Sequence, residues 1–323
     1  MKNILITGGM GFIGKFLVRK LLLERDYELT IVDNLSSSKL DEQIASNPRV
    51  TFVNESFEKW TPPAGVKFHQ IYHLTSPVGP LGVLKYKGRI GEMILGQLYH
   101  AAEFAMKMDA KLLEISTSEV YGQHPDNEQE GQREDIDKIV PSNLTVRLEY
   151  GVAKLLCEIV LKNLSRDNKL DYICIRPFNI VGPKQNGDLG FIIPRFLKQA
   201  ASGNPLTVYG DGSQKRTFTH VQDFVDAIFL VMESDRTGEI YNVGNPNNVT
   251  TVLNLAEKIK AVTKTSSEIS FVDPVAMFKD FAEAWNKIPN IDKISAHTGW
   301  QPKYSLDFIV KEVADMGDSY LIN

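Results

Sequence analysis

A short apolar strand, Lys2-Asn3-Ile4-Leu5-Ile6-Thr7, runs directly into Gly8-Gly9-Met10-Gly11-Phe12-Ile13-Gly14 and then into residues 15–24, where Phe16, Leu17, Leu21 and Leu22 recur at helical spacing. Glycine repeats are common, but one that follows a strand and opens a helix meets the structural condition for a dinucleotide site. In that setting Gly8 permits the tight turn and Gly11 lets the backbone approach a pyrophosphate. Gly14 lets the helix pack on the strand, and the phosphates sit at the helix N-terminus. Phe12 and Ile13 complete the cofactor-facing turn. The bland alternative is a strand–turn–helix whose glycines serve packing alone.

A second strand over residues 28–32 ends at Asp33, about 20 residues past the glycines. A carboxylate there can accept hydrogen bonds from the adenosine ribose hydroxyls and repels a 2′-phosphate, which favours NAD over NADP. Asn34 and Ser36 to Ser38 can reach the same ribose, although a serine run after a strand is usually only loop. Leu74, closing an expected strand over residues 70–74, joins the cofactor-facing set.

Strands at residues 50–53, 70–74, 111–115 and 171–175 alternate with helices near 90–108 and from about 147 to 164. Such alternation implies βαβ units, a parallel sheet and right-handed crossovers. Beyond Gly182 the texture changes to shorter elements divided by Gly-, Pro- and Asn-rich loops, such as Gly210-Asp211-Gly212-Ser213 and Gly244-Asn245-Pro246-Asn247-Asn248. The expected fold is therefore α/β, a Rossmann-type doubly wound parallel sheet with a smaller C-terminal substrate domain. Residues 1–182 would form the NAD-binding part, with some later segments interleaved, and residues 183–323 mainly the substrate part. The 323 residues, 43% of them hydrophobic, suffice for one large or two moderate cores.

A net charge of −4 gives no electrostatic case for nucleic acid or an anionic membrane. No apolar run reaches the roughly 20 residues of a spanning helix, and no signal-peptide pattern precedes the first strand. Cys157 and Cys174 lie in apolar segments and read as reduced core residues of a cytoplasmic protein. No metal site is expected. Asn143-Leu144-Thr145 and Asn248-Val249-Thr250 match the glycosylation pattern, and without a secretory signal both read as chance.

Two groups carry the expected chemistry. Tyr150 and Lys154 are four residues apart and so share one helix face, where the lysine charge can lower the phenol pKa from its reference of roughly 10. A phenolate held that way can take a proton from a sugar hydroxyl while a nicotinamide takes the hydride. The second group, Ser116-Thr117-Ser118-Glu119-Val120-Tyr121-Gly122, follows a strand at its C-terminal end, where ligands bind in open α/β sheets. Thr117 can relay a proton between a substrate oxygen and Tyr150, and Glu119 can act as acid or base on an oxidised sugar. Ser-x-x-Glu from Ser116 to Glu119 also fits an ordinary helix cap.

Together with Arg176-Pro177-Phe178-Asn179-Ile180-Val181-Gly182-Pro183, the stretch Val208 to Val221, Asn242-Val243-Gly244 and Gly299-Trp300-Gln301-Pro302, these motifs resemble the extended short-chain dehydrogenase/reductases that modify nucleotide sugars. The resemblance spans nearly the whole chain in the right order. It implies NAD as cofactor and a nucleotide-diphosphate sugar, a UDP-sugar foremost, as substrate. Tyr150 would be the base at O4, Lys154 would tune it and hold the nicotinamide ribose, and Thr117 would bridge O4 and Tyr150. Asn179 would contact the pyrophosphate and Arg216 would pair with the diphosphate, a role that suits a guanidinium fork. Residues 191–196 (with Arg195) and Val208-Tyr209-Gly210 would line the base pocket.

Within the family the trio after the strand sorts the chemistries. Thr117-Ser118-Glu119 looks like the UDP-glucuronate decarboxylases and the GDP-mannose dehydratases, the latter being opposed by Asp33. Ser118 departs from the Asp-Glu of the dTDP-glucose type dehydratases. Lys287-Ile288-Pro289-Asn290-Ile291 aligns with a decarboxylase segment that normally begins with arginine, the presumed acid of the reaction, so Lys287 is a departure too. Residues 77–82 and the basic stretch Lys85-Tyr86-Lys87-Gly88-Arg89 replace the usual small-residue loop. They read either as lining for an unusual sugar or as a solvated face. The implied function is a UDP-hexuronate decarboxylase or sugar-nucleotide dehydratase acting through transient C4 oxidation. A 4-epimerase, a net dehydrogenase and a non-catalytic NAD-binding sensor are the alternatives. The helices near 90–108 and 147–164 carry apolar residues over more than one face (Met93, Ile94, Leu98, Phe104; Leu148, Leu155, Leu156, Ile159, Val160), of which the sheet can cover only one, and the family pairs these helices across a two-fold axis, so a homodimer through a four-helix bundle is expected.

Overall fold

Parallel strands covered on both faces read as near-continuous apolar runs, and Ile4, Leu5 and Ile6 of the first strand are all fully buried. The structure is a computed structural model that describes residues 1–77, 79–122, 131–142, 144–166, 170–273 and 286–316. In chain order it comprises β1 (Lys2–Thr7), α1 (Phe12–Leu23), β2 (Tyr27–Val32), α2 (Glu42–Ala45), β3 (Val50–Val53), β4 (Gln70–His73), α3 (Pro80–Lys85), α4 (Ile90–Met108) and β5 (Lys111–Ile115). There follow α5 (Val146–Ser165), β6 (Tyr172–Pro177), β7 (Ile180–Val181), α6 (Ile192–Ala201), β8 (Leu206–Tyr209), β9 (Lys215–Arg216), β10 (Thr219–His220), α7 (Val221–Glu233) and β11 (Glu239–Val243). Last come β12 (Thr250–Thr251), α8 (Val252–Thr263), β13 (Ile269–Val272) and helices at Asp292–Thr298 and Leu306–Asp315.

Seven strands form one sheet in the order β11-β6-β5-β4-β1-β2-β3, every neighbouring pair parallel. The order reverses between β1 and β4, which puts the switch point, where such sheets bind ligands, at the C-terminal ends of those strands. One face of the sheet is covered by α1 and α7, through Leu17, Val18, Leu21, Phe224 and Ile228. The other is covered by α4 and α5, through Ile94, Leu98, Ala153, Cys157 and Leu161. A separate core joins α6, β8, α8 and the helix Leu306–Asp315 through Phe196, Leu206, Leu255 and Ile309.

Several element limits differ from expectation. The first helix begins at Phe12 rather than Lys15, because Gly11 is its N-cap residue and the glycine turn is correspondingly shorter. Strand β4 stops at His73, although the Leu74 amide still bonds the Thr7 carbonyl at 3.1 Å. The seventh strand comes from Glu239–Val243, so the sheet is completed from beyond Gly182.

Candidate active site

At the β1–α1 turn, Gly8 has φ +70°, a left-handed conformation that favours glycine. A Cβ on Gly14 would come within 2.4 Å of the Gly8 carbonyl oxygen, so helix and turn are in direct backbone contact. That is the cradle a pyrophosphate requires. Asp33 closes it from β2: its Oδ2 accepts the Met10 amide at 2.9 Å and its Oδ1 the Leu35 amide at 2.8 Å. Each carboxylate oxygen keeps a further lone pair for a ribose hydroxyl. Asn34 is engaged within its own loop, donating to Ser56 Oγ and accepting from the Ser36 amide, each at 3.0 Å. The buried hydroxyls of Thr7, Ser38 and Thr75 have no protein partner. Buried polar groups are ordinarily bonded, so the cradle fits a polar cofactor running across the switch point.

Across that point, β5 and α5 carry the reactive side chains. Ser118–Tyr121 is a single 3₁₀ turn whose cap is Thr117, its Oγ1 accepting the Glu119 amide at 3.2 Å. Ser116 does not cap it and instead donates to Glu158 Oε1 at 2.5 Å. Ser118 is buried. Tyr150 stands on α5 with the Thr117 hydroxyl and the Lys154 charge both favouring its phenolate, but burial is the larger effect and holds the phenol above its ordinary value. The Lys154 charge thus lowers the phenol as expected, but in the protein alone burial outweighs it and the carboxylates of Glu119 and Glu114 add to the rise. Part of the reason is Glu114, which sequence reasoning left out: its Oε1 accepts Lys154 Nζ at 3.0 Å, and Nζ also donates to the Ile115 carbonyl at 2.7 Å.

Glu119 is gripped by Arg147, whose Nε and Nη2 each donate to one of its oxygens at 2.7 Å, and it is bonded by Lys287 Nζ as well. Burial would raise the Glu119 carboxyl. Arg147 and Lys287 outweigh that and hold it well below the usual carboxylate range. Glu119 is therefore an ionised acceptor and not a proton donor. Lys287 has the opposite balance: burial pushes its ammonium down to about 8, against the attraction of Glu119 and with Arg147 and Arg216 adding repulsion.

The tail that carries Lys287 is stitched to the body by the Lys215 carbonyl, which accepts its amide, and by Thr217, whose hydroxyl donates to the Lys287 carbonyl at 3.3 Å. Arg216, on β9 next to Lys215, forms an isolated β-bridge with Lys287, and its Nη1 donates to the Lys215 carbonyl at 2.8 Å. Asn179 has φ +41° and donates its amide to the Thr217 carbonyl at 2.8 Å, which aligns the Arg176–Pro183 segment with the Arg216 segment. Arg195 lies over the Tyr209 ring at 4.5 Å. Val208 is fully buried with Leu206, Phe218 and Leu255, so its side chain belongs to the core and only its backbone can face a base.

The basic stretch resolves as a solvated face. Arg89 pairs with Glu92 on a strongly exposed surface, and Lys85 lies over Tyr86. The Gly88 and Ile90 amides are taken by Glu149 at 2.7 and 3.0 Å, so the neighbour of Tyr150 caps α4. Within residues 77–82, Val78 is outside the described residues, as is Asn143 of the first glycosylation pattern. Asn248 of the second is buried and bonded to the Phe218 and Tyr304 carbonyls. Of the apolar residues on these two helices, Ile94, Leu98 and Phe104 point into the chain's own core, whereas Leu156 and Ile159 are exposed, as are Val152 on α5 and Tyr99 on α4.

A doubly wound sheet with a glycine cradle at its switch point, and a Thr/Tyr/Lys group across it, defines a dinucleotide-dependent enzyme of the short-chain dehydrogenase type. Residues 4–244 match the model of the NAD dependent epimerase/dehydratase family, and the chain belongs to that family. Its cofactor is NAD. UDP-glucuronic acid decarboxylase 6 of Arabidopsis thaliana is 34% identical over 94% of this chain and 85% of its own length. UDP-N-acetyl-alpha-D-glucosaminuronate decarboxylase of Bacillus cytotoxicus is 31% identical over 96% of each chain. Among solved structures, UDP-glucose 4-epimerase of Thermotoga maritima superposes with a TM-score of 0.82 at 26% identity, covering 99% of this chain and 100% of that one.

Proposed function

We propose that the chain decarboxylates a UDP-hexuronate through transient oxidation at C4. The observation that carries this reading is the ionised Glu119 bonded by both Arg147 and Lys287 at the end of β5, close to Tyr150. Two cations against one carboxylate leave a positive charge that suits an acidic sugar better than a neutral one. An epimerase needs only O4 deprotonation, hydride removal and rotation of the keto-sugar, and has no use for this group. The intact Thr117/Tyr150/Lys154 set weighs against a non-catalytic sensor.

Gly8–Gly14 and Asp33 would hold NAD, which when bound would supply a reversible hydride acceptor for C4. Phe12, Ile13, Asn34 and Leu74 border that path. Tyr150 takes the O4 proton through Thr117, and the third Nζ hydrogen of Lys154 is left for the nicotinamide ribose. The C4 carbonyl so formed stands β to the C6 carboxylate. The C5–C6 bond can then break, its electron pair moving onto the C4 oxygen as carbon dioxide leaves. Lys287, whose ammonium gives up its proton near pH 8, delivers that proton to C5. Arg216 and Asn179 hold the diphosphate, and Arg195, Tyr209 and the Val208 backbone hold the uracil. This assigns residues 1–182, completed by β11, to NAD and most of 183–323 to the UDP-sugar.

We also infer that two copies pair through α4 and α5. Val152, Leu156 and Ile159 fall on one face of α5 and are 41%, 41% and 48% exposed. Among the described residues no helix is long and apolar enough to cross a membrane, and a cytoplasmic site of action is part of this reading.

The test is incubation with UDP-glucuronate, UDP-N-acetylglucosaminuronate and their neutral counterparts, with products identified by mass. Loss of carbon dioxide supports the proposal. Loss of water, or an isomer of unchanged mass, replaces it with dehydration or epimerisation. Tyr150→Phe should abolish turnover and leave NAD binding intact.

A further inference from the structure

The strand Lys111–Ile115 is apolar apart from Lys111 at its mouth and Glu114 near its end, and Glu114 is only 1% exposed. A carboxylate carried into a sheet covered on both faces costs several kcal/mol of lost hydration, of order, unless partners compensate it. Glu114 therefore calls for an explanation beyond stability.

Its partners supply one. Glu114 Oε1 accepts from Lys154 Nζ at 3.0 Å and Glu114 Oε2 meets His73 Nδ1 at 2.5 Å. An ionised carboxylate can only accept, so Nδ1 carries the hydrogen of that bond. His73 reaches Glu114 from β4, its ring packed 5.7 Å from that of Phe57, and its Nε2 has no partner. Among the described residues, the other titratable groups around this carboxylate are Cys157 on α5, Cys174 on β6 and the Tyr150 phenol. Both thiols are pushed up by burial and stay neutral. Tyr150 in turn faces Lys154, Glu119, Thr117 and Glu114.

We propose that Glu114, held from behind by His73, is a positioning residue that fixes the Lys154 ammonium beneath the catalytic tyrosine and sets the pH at which Tyr150 becomes a base. Two of the three Nζ hydrogens are committed, to Glu114 and to the Ile115 carbonyl, so the direction of the third is fixed by the fold. The same negative charge disfavours the phenolate, offsetting part of what Lys154 provides. It also keeps Lys154 protonated despite its burial. Glu114 thus gives up some phenolate population at Tyr150 for a lysine that stays charged and aimed. The inference rests on Tyr150 acting as the base of the proposed reaction, but its test does not depend on any sugar being turned over.

The experiment labels the tyrosines with carbon-13 at Cζ and follows their pH titration in the NAD-loaded protein. The Tyr150 signal is assigned by its loss in Tyr150→Phe. Glu114→Gln keeps a hydrogen-bond acceptor for Nζ and removes the charge, so Tyr150 should titrate about half a unit to one unit lower than in the wild type. Glu114→Asp keeps a carboxylate at greater distance and should fall between. The acidic limb of kcat/KM, measured on whichever UDP-sugar is a substrate, should move in the same direction, with KM little changed. If Glu114→Gln does not fold, Glu114→Asp against the wild type carries the comparison. Identical Tyr150 titrations in the wild type and the folded variants would overturn the proposal, because a purely structural ion pair would leave the phenol where it is. A shifted phenol in a protein inactive on every uronate would uphold this inference and sink the decarboxylase reading.

Discussion

Arg147 lies three residues before Tyr150 on α5, on the same helix face, and holds both carboxylate oxygens of Glu119 at 2.7 Å. The helix that supplies the base therefore also fixes the acidic residue of the strand-end group. Glu149, one residue from Tyr150, caps α4 at the same time. Three contacts of chemistry and packing, made by Arg147, Glu149 and Tyr150, are thus tied to about one turn at the N-terminus of α5, so a shift of α5 would move Tyr150, Glu119 and α4 together.

Arg147→Ala should leave the first hydride transfer intact, seen as transient NADH absorbance. Release of carbon dioxide should slow by about 10²-fold, the lower end of acid–base assistance. Arg147→Lys should recover little, because one ammonium does not reproduce a two-pronged guanidinium contact. Wild-type turnover in Arg147→Ala would reduce the pair to a clasp without a part in the reaction.

Asp33 does two things at once, accepting the Met10 and Leu35 amides and presenting negative charge to the ribose. Asp33→Asn keeps an acceptor for one of those amides and removes the charge, so the preference for NAD over NADP should narrow while NAD affinity falls modestly. Asp33→Ala should narrow it too but lose more NAD affinity, since both amides lose their acceptor. Calorimetric titration with each cofactor separates these effects, and an unchanged ratio in Asp33→Asn would show that the carboxylate does not select the cofactor.

The sheet was legible because its signals are local. Lys111–Ile115 and Ile90–Met108 follow from apolar spacing alone, and the glycine turn marks the switch point. What was not legible depends on residues far apart in sequence. Glu114 meets His73 across 41 residues and Glu119 meets Lys287 across 168. Signals for two of the missed residues were nevertheless present. Glu114 is a charge inside an otherwise apolar buried strand, where unpaired carboxylates are rare, and Arg147 is one helical turn from Tyr150. Which apolar positions the sheet covers was not legible either: periodicity marks an apolar face but does not say that the sheet takes Ile94, Leu98 and Phe104 and leaves Leu156 and Ile159 exposed.

Beneath the site, Arg176 and Glu158 are each about 3% exposed and joined by two bonds, at 2.9 and 2.6 Å. Arg176 also meets the Tyr121 hydroxyl at 2.8 Å, and Ser116 donates to Glu158. Removing one partner of a buried pair strands the other charge, at a cost of about 3–5 kcal/mol. Glu158→Ala should show that loss in urea unfolding, and Arg176→Met with Glu158→Leu should recover much of it. A loss under about 1 kcal/mol in Glu158→Ala would mean that water or rearrangement compensates Arg176.

Lys287 gives the reaction its pH signature. Its folded value, about 8, lies below the ordinary lysine range because burial outweighs the attraction of Glu119. A proton donor works in its protonated form, so the decarboxylation step should be fully supported below that value and fall as pH rises through about 8. Lys287→Arg keeps its charge throughout the accessible range, so the descending limb should disappear even if the maximum rate drops. Lys287→Met should retain transient NADH formation and lose carbon dioxide release. Rates that stay flat in the wild type across about pH 7–9 would exclude Lys287 as the donor. The proton at C5 would then have to come from Arg147 or from solvent, and Lys287 would be left with the role of holding Glu119 in place.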